Sequence, residues 1–296
     1  MPTLLDFRRR IRSVKNSQQI TRAMKFVAAA RLRRAQEAAL AARPYAQELA
    51  RVLRSTMARI QEPQHPLLER REEKNVLAIV LTGERGLAGA FNTNILKKTN
   101  EFFRANRDKK VVTIAVGKKG RDALKKAGFT FAGEWVNVLA RVEFKTAREI
   151  ARLATDLYAE KKVDSVYIIF SEFKSVMTAN LKVEKLLPVE AIREEQGSNE
   201  EKESGKNAEV QVDYIYEQPE AQLLDKLLPR YVETQILRAM LESSASEYAA
   251  RMTAMESATK NAGDVFEALT LYMNKVRQAA ITKEIIEIVS GASYGS

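Results

Sequence analysis

Apolar positions along the chain follow two different periods, and the change of period divides it. From Thr3 to Glu62 there is no glycine and one proline, Pro44, in a stretch rich in Ala, Arg, Leu, Gln and Lys. These are strong helix formers, so the segment reads as one very long helix. Thr3-Leu4-Leu5-Asp6 fits a capping box at its start. Pro44 is expected to kink the helix rather than end it, because the pattern resumes at Tyr45, Leu49, Val52, Thr56 and Ile60. About 57 helical residues would extend roughly 85 Å at ~1.5 Å per residue.

The other end mirrors it. Pro219 and Glu220 suit a first helical turn, and helical patterning runs to about Val289, with Gly291 as the stop. Alternate steps of four and three from Leu227 through Leu241, Tyr248, Met255, Phe266 and Met273 to Ala280 visit sixteen positions, thirteen of them apolar. That sustained period predicts a coiled-coil seam, with Pro229 and Gly263 as its weak points.

Between the helices the period shortens. Asn75–Thr82, Val111–Val116 and Ser165–Ser171 are short apolar runs, separated by helical patterns near Thr93–Arg107, Lys118–Ala127 and Thr146–Lys161. Such alternation predicts a parallel sheet with helices on its faces. Ala179–Leu187 and Val210–Glu217 have no helix between them and are expected to pair as a hairpin at the sheet edge. Their link, Glu190–Glu209, carries seven acids against three bases and reads as a flexible surface loop. The expected fold is α/β. The N-terminal helix (1–62) and C-terminal helix (219–296) form a long antiparallel two-helix coiled coil, interrupted by a self-contained, inserted Rossmann-like α/β domain (75–217, with 190–209 as the loop).

Charge sharpens the picture. Residues 1–60 hold fourteen Lys/Arg and three acids, a surplus equal to the +11 of the whole chain, so the remainder balances. Hydrophobic content of 45% with 29% charged residues is globular. With no cysteine, disulfides, thiolate metal sites and Cys nucleophiles are excluded. A single histidine, His65, argues against a multi-His zinc site or a Ser-His-Asp triad elsewhere. No apolar run approaches the ~18 residues of a membrane span. The start, MPTLLDFRRR, lacks the pattern of a secretory signal, and Asp6 argues against a transit peptide.

One motif invites an enzymatic reading. Thr82–Asn92 (TGERGLAGAFN) follows a strand, precedes a helix and carries Gly83, Gly86 and Gly89. Amides at such a turn hold phosphate in some folds. The spacing G-x-x-G-x-x-G is neither the dinucleotide fingerprint nor a P-loop, so a tight, closely packed turn is the favoured reading.

Ile20–Gln36 (ITRAMKFVAAARLRRAQ), Arg43–Ala46 (RPYA), Glu84–Asn92 (ERGLAGAFN), Asp213–Gln218 (DYIYEQ) and Arg277–Ala292 (RQAAITKEIIEIVSGA) resemble the gamma subunits of F-type ATP synthases. The resemblance covers the whole chain and is densest in the terminal helices. It implies a non-catalytic central shaft of a proton-translocating rotary motor. That shaft would turn inside a hexamer of alpha and beta subunits, three of each. The α/β domain would be a foot resting, with the epsilon subunit, on the c-ring. The resemblance further implies that the chain itself binds no cofactor or metal, with ATP, ADP and magnesium held by the partners. Membrane contact would be indirect, at the cytoplasmic face of a bacterial membrane.

By the same resemblance, Met24, Arg251, Gln278, Thr282 and Glu284 match shaft positions facing the catalytic subunits. Tyr214 and Glu217 match foot positions near the c-ring. Arg8, Arg9, Arg10, Arg12 and Lys15, with Arg31, Arg33 and Arg34, are expected to face acidic segments of the beta subunits. Each has a plainer alternative. Met24 suits core packing, and any single arginine suits a solvated charge. Gln278 and Thr282 share a helix side from which Glu284 is rotated away. Some relatives carry a cysteine in the turn after the first strand, where this chain has Ala88. The absence of cysteine also rules out disulfide regulation. Two other classes stay open on the residues alone. One is a basic coiled coil that binds nucleic acid; the other is a nucleotide-binding enzyme built on the glycine turn.

Overall fold

The computed structural model describes residues 3–59, 65–189 and 220–294. Helix α1, Leu4–Arg59, has 56 residues, and helix α5, Glu220–Tyr294, has 75. The start of α1 is a reciprocal cap: the Asp6 amide donates to the Thr3 hydroxyl (3.3 Å), and the Thr3 amide donates to the Asp6 carboxylate (2.9 Å). Pro44 lies inside α1 and Pro229 inside α5, so neither ends its helix. Gly291 does not stop α5, which continues to Tyr294.

The two helices pair antiparallel in constant register. The Phe7 ring meets Tyr272 at 5.1 Å. The Thr259 hydroxyl donates to Thr21 (2.8 Å), Lys25 pairs with Glu256, and Leu32 packs on Ala245 and Tyr248. Each step forward on α1 is an equal step back on α5. All sixteen positions of the four-three seam from Leu227 to Ala280 are buried or half-buried, whereas Leu271, Tyr272 and Val265 beside it are exposed. Because α1 begins at Leu4, the last turns of α5 from Arg277 outrun it by roughly 27 Å at ~1.5 Å per residue.

The inserted domain contains β1 (Asn75–Leu81), α2 (Phe91–Ala105), β2 (Lys110–Val116), α3 (Lys118–Lys126), β3 (Phe131–Trp135), α4 (Phe144–Ala159), β4 (Ser165–Phe173) and β5 (Ala179–Leu187). They form one sheet in the order β3-β2-β1-β4-β5, parallel except for β5. The strand β3 escapes the sequence pattern because FAGEW has no β-branched residue and includes Gly133. The edge hairpin joins β5 to the preceding β4, through Lys174–Thr178. The proposed partner Val210–Glu217 lies outside the described residues.

One face of the sheet is covered by α2 and α3, through Phe91, Ile95, Phe103 and Leu124 against Ala78, Val80 and Ile169. The other is covered by α4 and by α5. Leu224, Leu228, Val232, Ile236, Ala239 and Met240 of α5 share a core with Ile79, Leu81, Ile168 and Phe170. The inserted domain is therefore not self-contained, as its own apolar runs suggest; its core is completed by a second stripe on the C-terminal helix.

Candidate functional site

Two features of the molecule bear on function: the joint between sheet and shaft, and the surface of the shaft beyond it.

The joint is built around the turn after β1. Thr82 continues the strand, its amide donating to the Val116 carbonyl (2.8 Å), and its hydroxyl accepts from the Gly120 amide (2.8 Å). A side chain at Gly117 would overlap the Thr82 carbonyl, and Gly117 has φ 99°. The Gly83 amide donates to Asn92 Oδ1 (2.8 Å). The Glu84 carboxylate accepts from the Lys118 amide at the start of α3 (3.0 Å) and from the Val138 amide (3.1 Å). An anion from the chain itself thus occupies the α3 terminus. The turn rests on α5: a Cβ on Gly83 would lie 2.9 Å from the Glu247 carboxyl carbon, and one on Gly89 3.7 Å from Ala254 Cβ. These glycines allow close approach to the shaft, and a phosphate at Gly83 would face the Glu247 carboxylate.

Glu247 is nearly buried, its side chain 7% exposed, and pairs with Arg251 at 2.6 Å, itself 12% exposed. The Arg251 guanidinium also donates to the Gly86 carbonyl (3.4 Å) and lies 5.6 Å from the Tyr248 ring centre. Burial pushes the Glu247 carboxyl up, against the pull of Arg251. The joint continues along α5. The Ser246 and Ser171 hydroxyls are 2.7 Å apart, Ser244 donates to the Leu139 carbonyl (3.0 Å), and Arg238 pairs with Glu184 (2.6 Å). The inserted domain and α5 are held together by buried polar contacts as well as by apolar packing.

The expected contact residues divide three ways. Arg8, Arg9, Arg10, Arg12 and Lys15 are exposed on α1 and form no ion pair among the described residues. Gln278, Thr282 and Glu284 are exposed on the overhanging part of α5, beside exposed Ile281, Ile285, Ile286, Ile288 and Val289. Met24 is half-buried next to the Lys25–Glu256 pair. Arg251 points into the joint rather than outward. Tyr214 and Glu217 lie outside the described residues. Arg31 and Arg251 both lie against Tyr248, whereas Arg33 pairs with Glu37 along its own helix (3.0 Å).

Glu247, Ser246 and Ser171 are not among the residues singled out by sequence. A carboxylate four residues before Arg251, inside an otherwise small and apolar stretch (SSASEYAAR), is the signal that could have found Glu247. Among the described residues there is no group of three or more His, Asp or Glu arranged to hold a metal, and no helix is long and apolar enough to cross a membrane.

Comparison with known proteins gives one consistent result. The family described as "ATP synthase" matches residues 3–293. A protein called ATP synthase gamma chain from Solibacter usitatus is 48% identical over 297 residues, covering 99% of each chain. Another of the same name from Chlorobium phaeobacteroides is 45% identical, covering 99% of this chain and 98% of its own. Among solved structures, a chain of the Euglena gracilis mitochondrial ATP synthase OSCP/F1/c-ring assembly superposes with a TM-score of 0.67. It is 21% identical, over 98% of this chain and 93% of that one. A chain from the rotor of the same enzyme gives 0.64 at 20% identity, over 94% and 98%.

Proposed function

The chain belongs to the ATP synthase gamma chains, and on that premise we propose that it is the central rotor shaft, coupling ion flow through a c-ring to ATP synthesis and hydrolysis in an alpha–beta hexamer. It does this without catalysing either step. The observation that carries the reading is the long α1–α5 pair, overhung by one helix at its tip and joined to the inserted domain at its other part by the contacts of Arg251 with the Gly86 carbonyl, Ser246 with Ser171 and Ser244 with the Leu139 carbonyl. A shaft needs length and stiffness to carry torque, and a joint that does not slip.

The overhanging tip, with its exposed isoleucines and with Gln278, Thr282 and Glu284, lies in the sleeve of alpha and beta subunits. The exposed cations Arg8, Arg9, Arg10, Arg12 and Lys15 face acidic segments of the beta subunits. There they set association and register more than affinity. One asymmetric shaft presents a different face to each catalytic subunit, so their nucleotide affinities differ. Rotation exchanges those affinities, and by linkage nucleotide turnover drives the shaft. ATP, ADP and magnesium are held by the partner subunits, not by the glycine turn. The sheet forms the foot, resting with epsilon on the c-ring, and Tyr214 and Glu217 contact that ring. The subunit is peripheral, at the cytoplasmic face of the membrane that carries the complex.

Reconstitution tests this. The purified chain alone should hydrolyse no ATP, and added to alpha and beta subunits it should assemble with them and restore hydrolysis. Failure to co-assemble would sink the proposal. Tight retention of DNA at physiological salt, with no such assembly, would favour the nucleic-acid alternative.

A further inference from the structure

The only histidine of the chain, His65, lies where the backbone crosses between shaft and inserted domain. Residues 65–74 lead into β1 from the side of α1, and Val189 leaves β5 on the way to α5. The two crossings meet at a short 3-10 turn, Pro66–Leu68. Leu67 in that turn is buried in one core with Leu224 and Leu228 of α5. Its carbonyl accepts from the Val189 amide (3.0 Å). His65 caps the turn: its Nδ1 accepts from the Leu67 amide (3.0 Å), and its Nε2 lies 3.6 Å from Asp225 Oδ1 on α5. One imidazole thus bears on the connector and on the first turns of α5, beside the exit from β5.

That geometry fixes the chemistry of the ring. A ring nitrogen that accepts a hydrogen bond carries no proton, so the neutral form bears its N–H at Nε2, on the side of Asp225. A second proton goes to Nδ1. It sets an N–H against the Leu67 N–H, two donors 3.0 Å apart, and the cap is lost. Little water can take the lost place, because the His65 side chain is 10% exposed. Asp225 favours the charged ring, but it is 70% exposed, so its attraction is screened. Burial therefore wins and holds the ring below its usual 6.5. Among the described residues, Asp225 is the one charged side chain that bears on it. The next charged groups of the connector are engaged with each other and with α4. Glu69 pairs with Arg71 (2.6 Å), Arg71 donates to the Tyr158 carbonyl (2.9 Å), and the Tyr158 hydroxyl donates to the Glu69 carbonyl (2.5 Å).

We infer that His65 is a proton-operated latch where the shaft helices join the inserted domain: neutral, it holds the Leu67 turn against α5 and the β5 exit, and protonated, it releases that turn. The device needs no bound partner, and it holds whatever the chain assembles with. Imidazole is the side chain whose unperturbed titration falls nearest neutrality, so a modest acidification operates it. The folded-state value lies below the unfolded one. The latch therefore contributes fully above 6.5 and is lost as pH falls through the folded-state value.

The test uses the untagged full chain, in which His65 gives the only imidazole signal. Proton NMR of that ring should show a midpoint below 6.5. Hydrogen exchange, corrected for the intrinsic pH dependence of amide exchange, is followed in parallel between about pH 8 and about pH 5. Protection of the Leu67 amide should fall by about fivefold through the same midpoint, the worth of one capping bond, and Val189 should follow. The Gly117 amide, bonded to the Trp135 carbonyl within the sheet, should hold. His65→Asn keeps an oxygen that can accept the same amide and does not titrate, so it should remove the pH dependence. Asp225→Asn should move the ring midpoint to lower pH and the loss of Leu67 protection with it. If His65→Asn loosens the turn at every pH, the joint shift of the two midpoints in Asp225→Asn still decides. A ring midpoint at or above 6.5 would overturn the inference. So would Leu67 protection that stays level through the titration of the ring, or that falls equally in His65→Asn.

Discussion

Gly83→Ala separates the packing account of the glycine turn from a ligand-binding one. A Cβ at this position would lie 2.9 Å from both the Cδ and an Oε atom of Glu247, and 3.1 Å from Asn92 Oδ1. Atoms do not approach that closely, so the carboxylate must move. It cannot swing into solvent freely, being 7% exposed and tied to Arg251 at 2.6 Å. The cost lies between that of inserting a methyl into a packed site, about 1–3 kcal/mol, and that of breaking a buried ion pair, about 3–5 kcal/mol. A loss of about 2–3 kcal/mol is expected in urea unfolding of the full chain. Gly86 has nothing within 4 Å of its would-be Cβ, so Gly86→Ala should stay within about 0.5 kcal/mol of wild type. The double variant Gly83→Ala/Glu247→Ala should be no less stable than Glu247→Ala alone, since the obstructing carboxylate is gone. If Gly86→Ala costs as much as Gly83→Ala, or the two changes add, the close approach to Glu247 is not what the glycine is for.

Three further outcomes follow from named contacts. Glu73 is held down to about 2 by Lys109, Lys185 and Tyr167, whose hydrogen bonds outweigh burial. A depression from 4.5 to about 2 is worth about 3 kcal/mol, present above 4.5 and lost as pH falls through 2. The stability gap between wild type and Glu73→Gln should therefore shrink as pH drops below 4.5, and a gap independent of pH would contradict it. Gly117→Ala combines a positive φ with overlap on the Thr82 carbonyl, so it should cost about 4 kcal/mol or more, seen as loss of soluble folded protein. Residues 281–290 are all exposed, so cutting the chain before Ile281 should shift thermal unfolding of the isolated chain by less than about 0.5 kcal/mol while affinity for the alpha–beta hexamer falls. A large loss of intrinsic stability would mean that the tip packs within the chain.

How much of this could be read from residues alone depends on which forces act locally. The seam of α5 is visible because α1 runs beside it and imposes one period over most of its length, and all sixteen positions are buried or half-buried, including Arg238, which reaches Glu184 of β5. The capping box at Thr3 and Asp6 is visible because it is settled within four residues. The strands β1, β2 and β4 announce themselves as apolar runs because both faces of the sheet are covered. By contrast, β3 is an edge strand of mixed composition, held by β2 and by the Gly117 amide donating to Trp135. The second buried stripe of α5, from Leu224 to Met240, is hidden because the same residues sit beside the seam, and periodicity shows apolar positions but not which partner each one meets. Arg251 shows the limit most plainly. Its resemblance marks a boundary position, whereas its side chain is spent on Glu247 and the Gly86 carbonyl. Only the folding of a turn more than 160 residues away brings these together.

The central claim is that the chain rotates as one body. Because the sequence has no cysteine, Lys145→Cys on the exposed side of α4 provides a unique attachment point in the foot. With the alpha–beta hexamer fixed to a surface and a bead on that cysteine, ATP should drive continuous rotation in one direction, pausing once per catalytic subunit in each turn. A bead that only fluctuates while the assembled complex hydrolyses ATP would contradict the account.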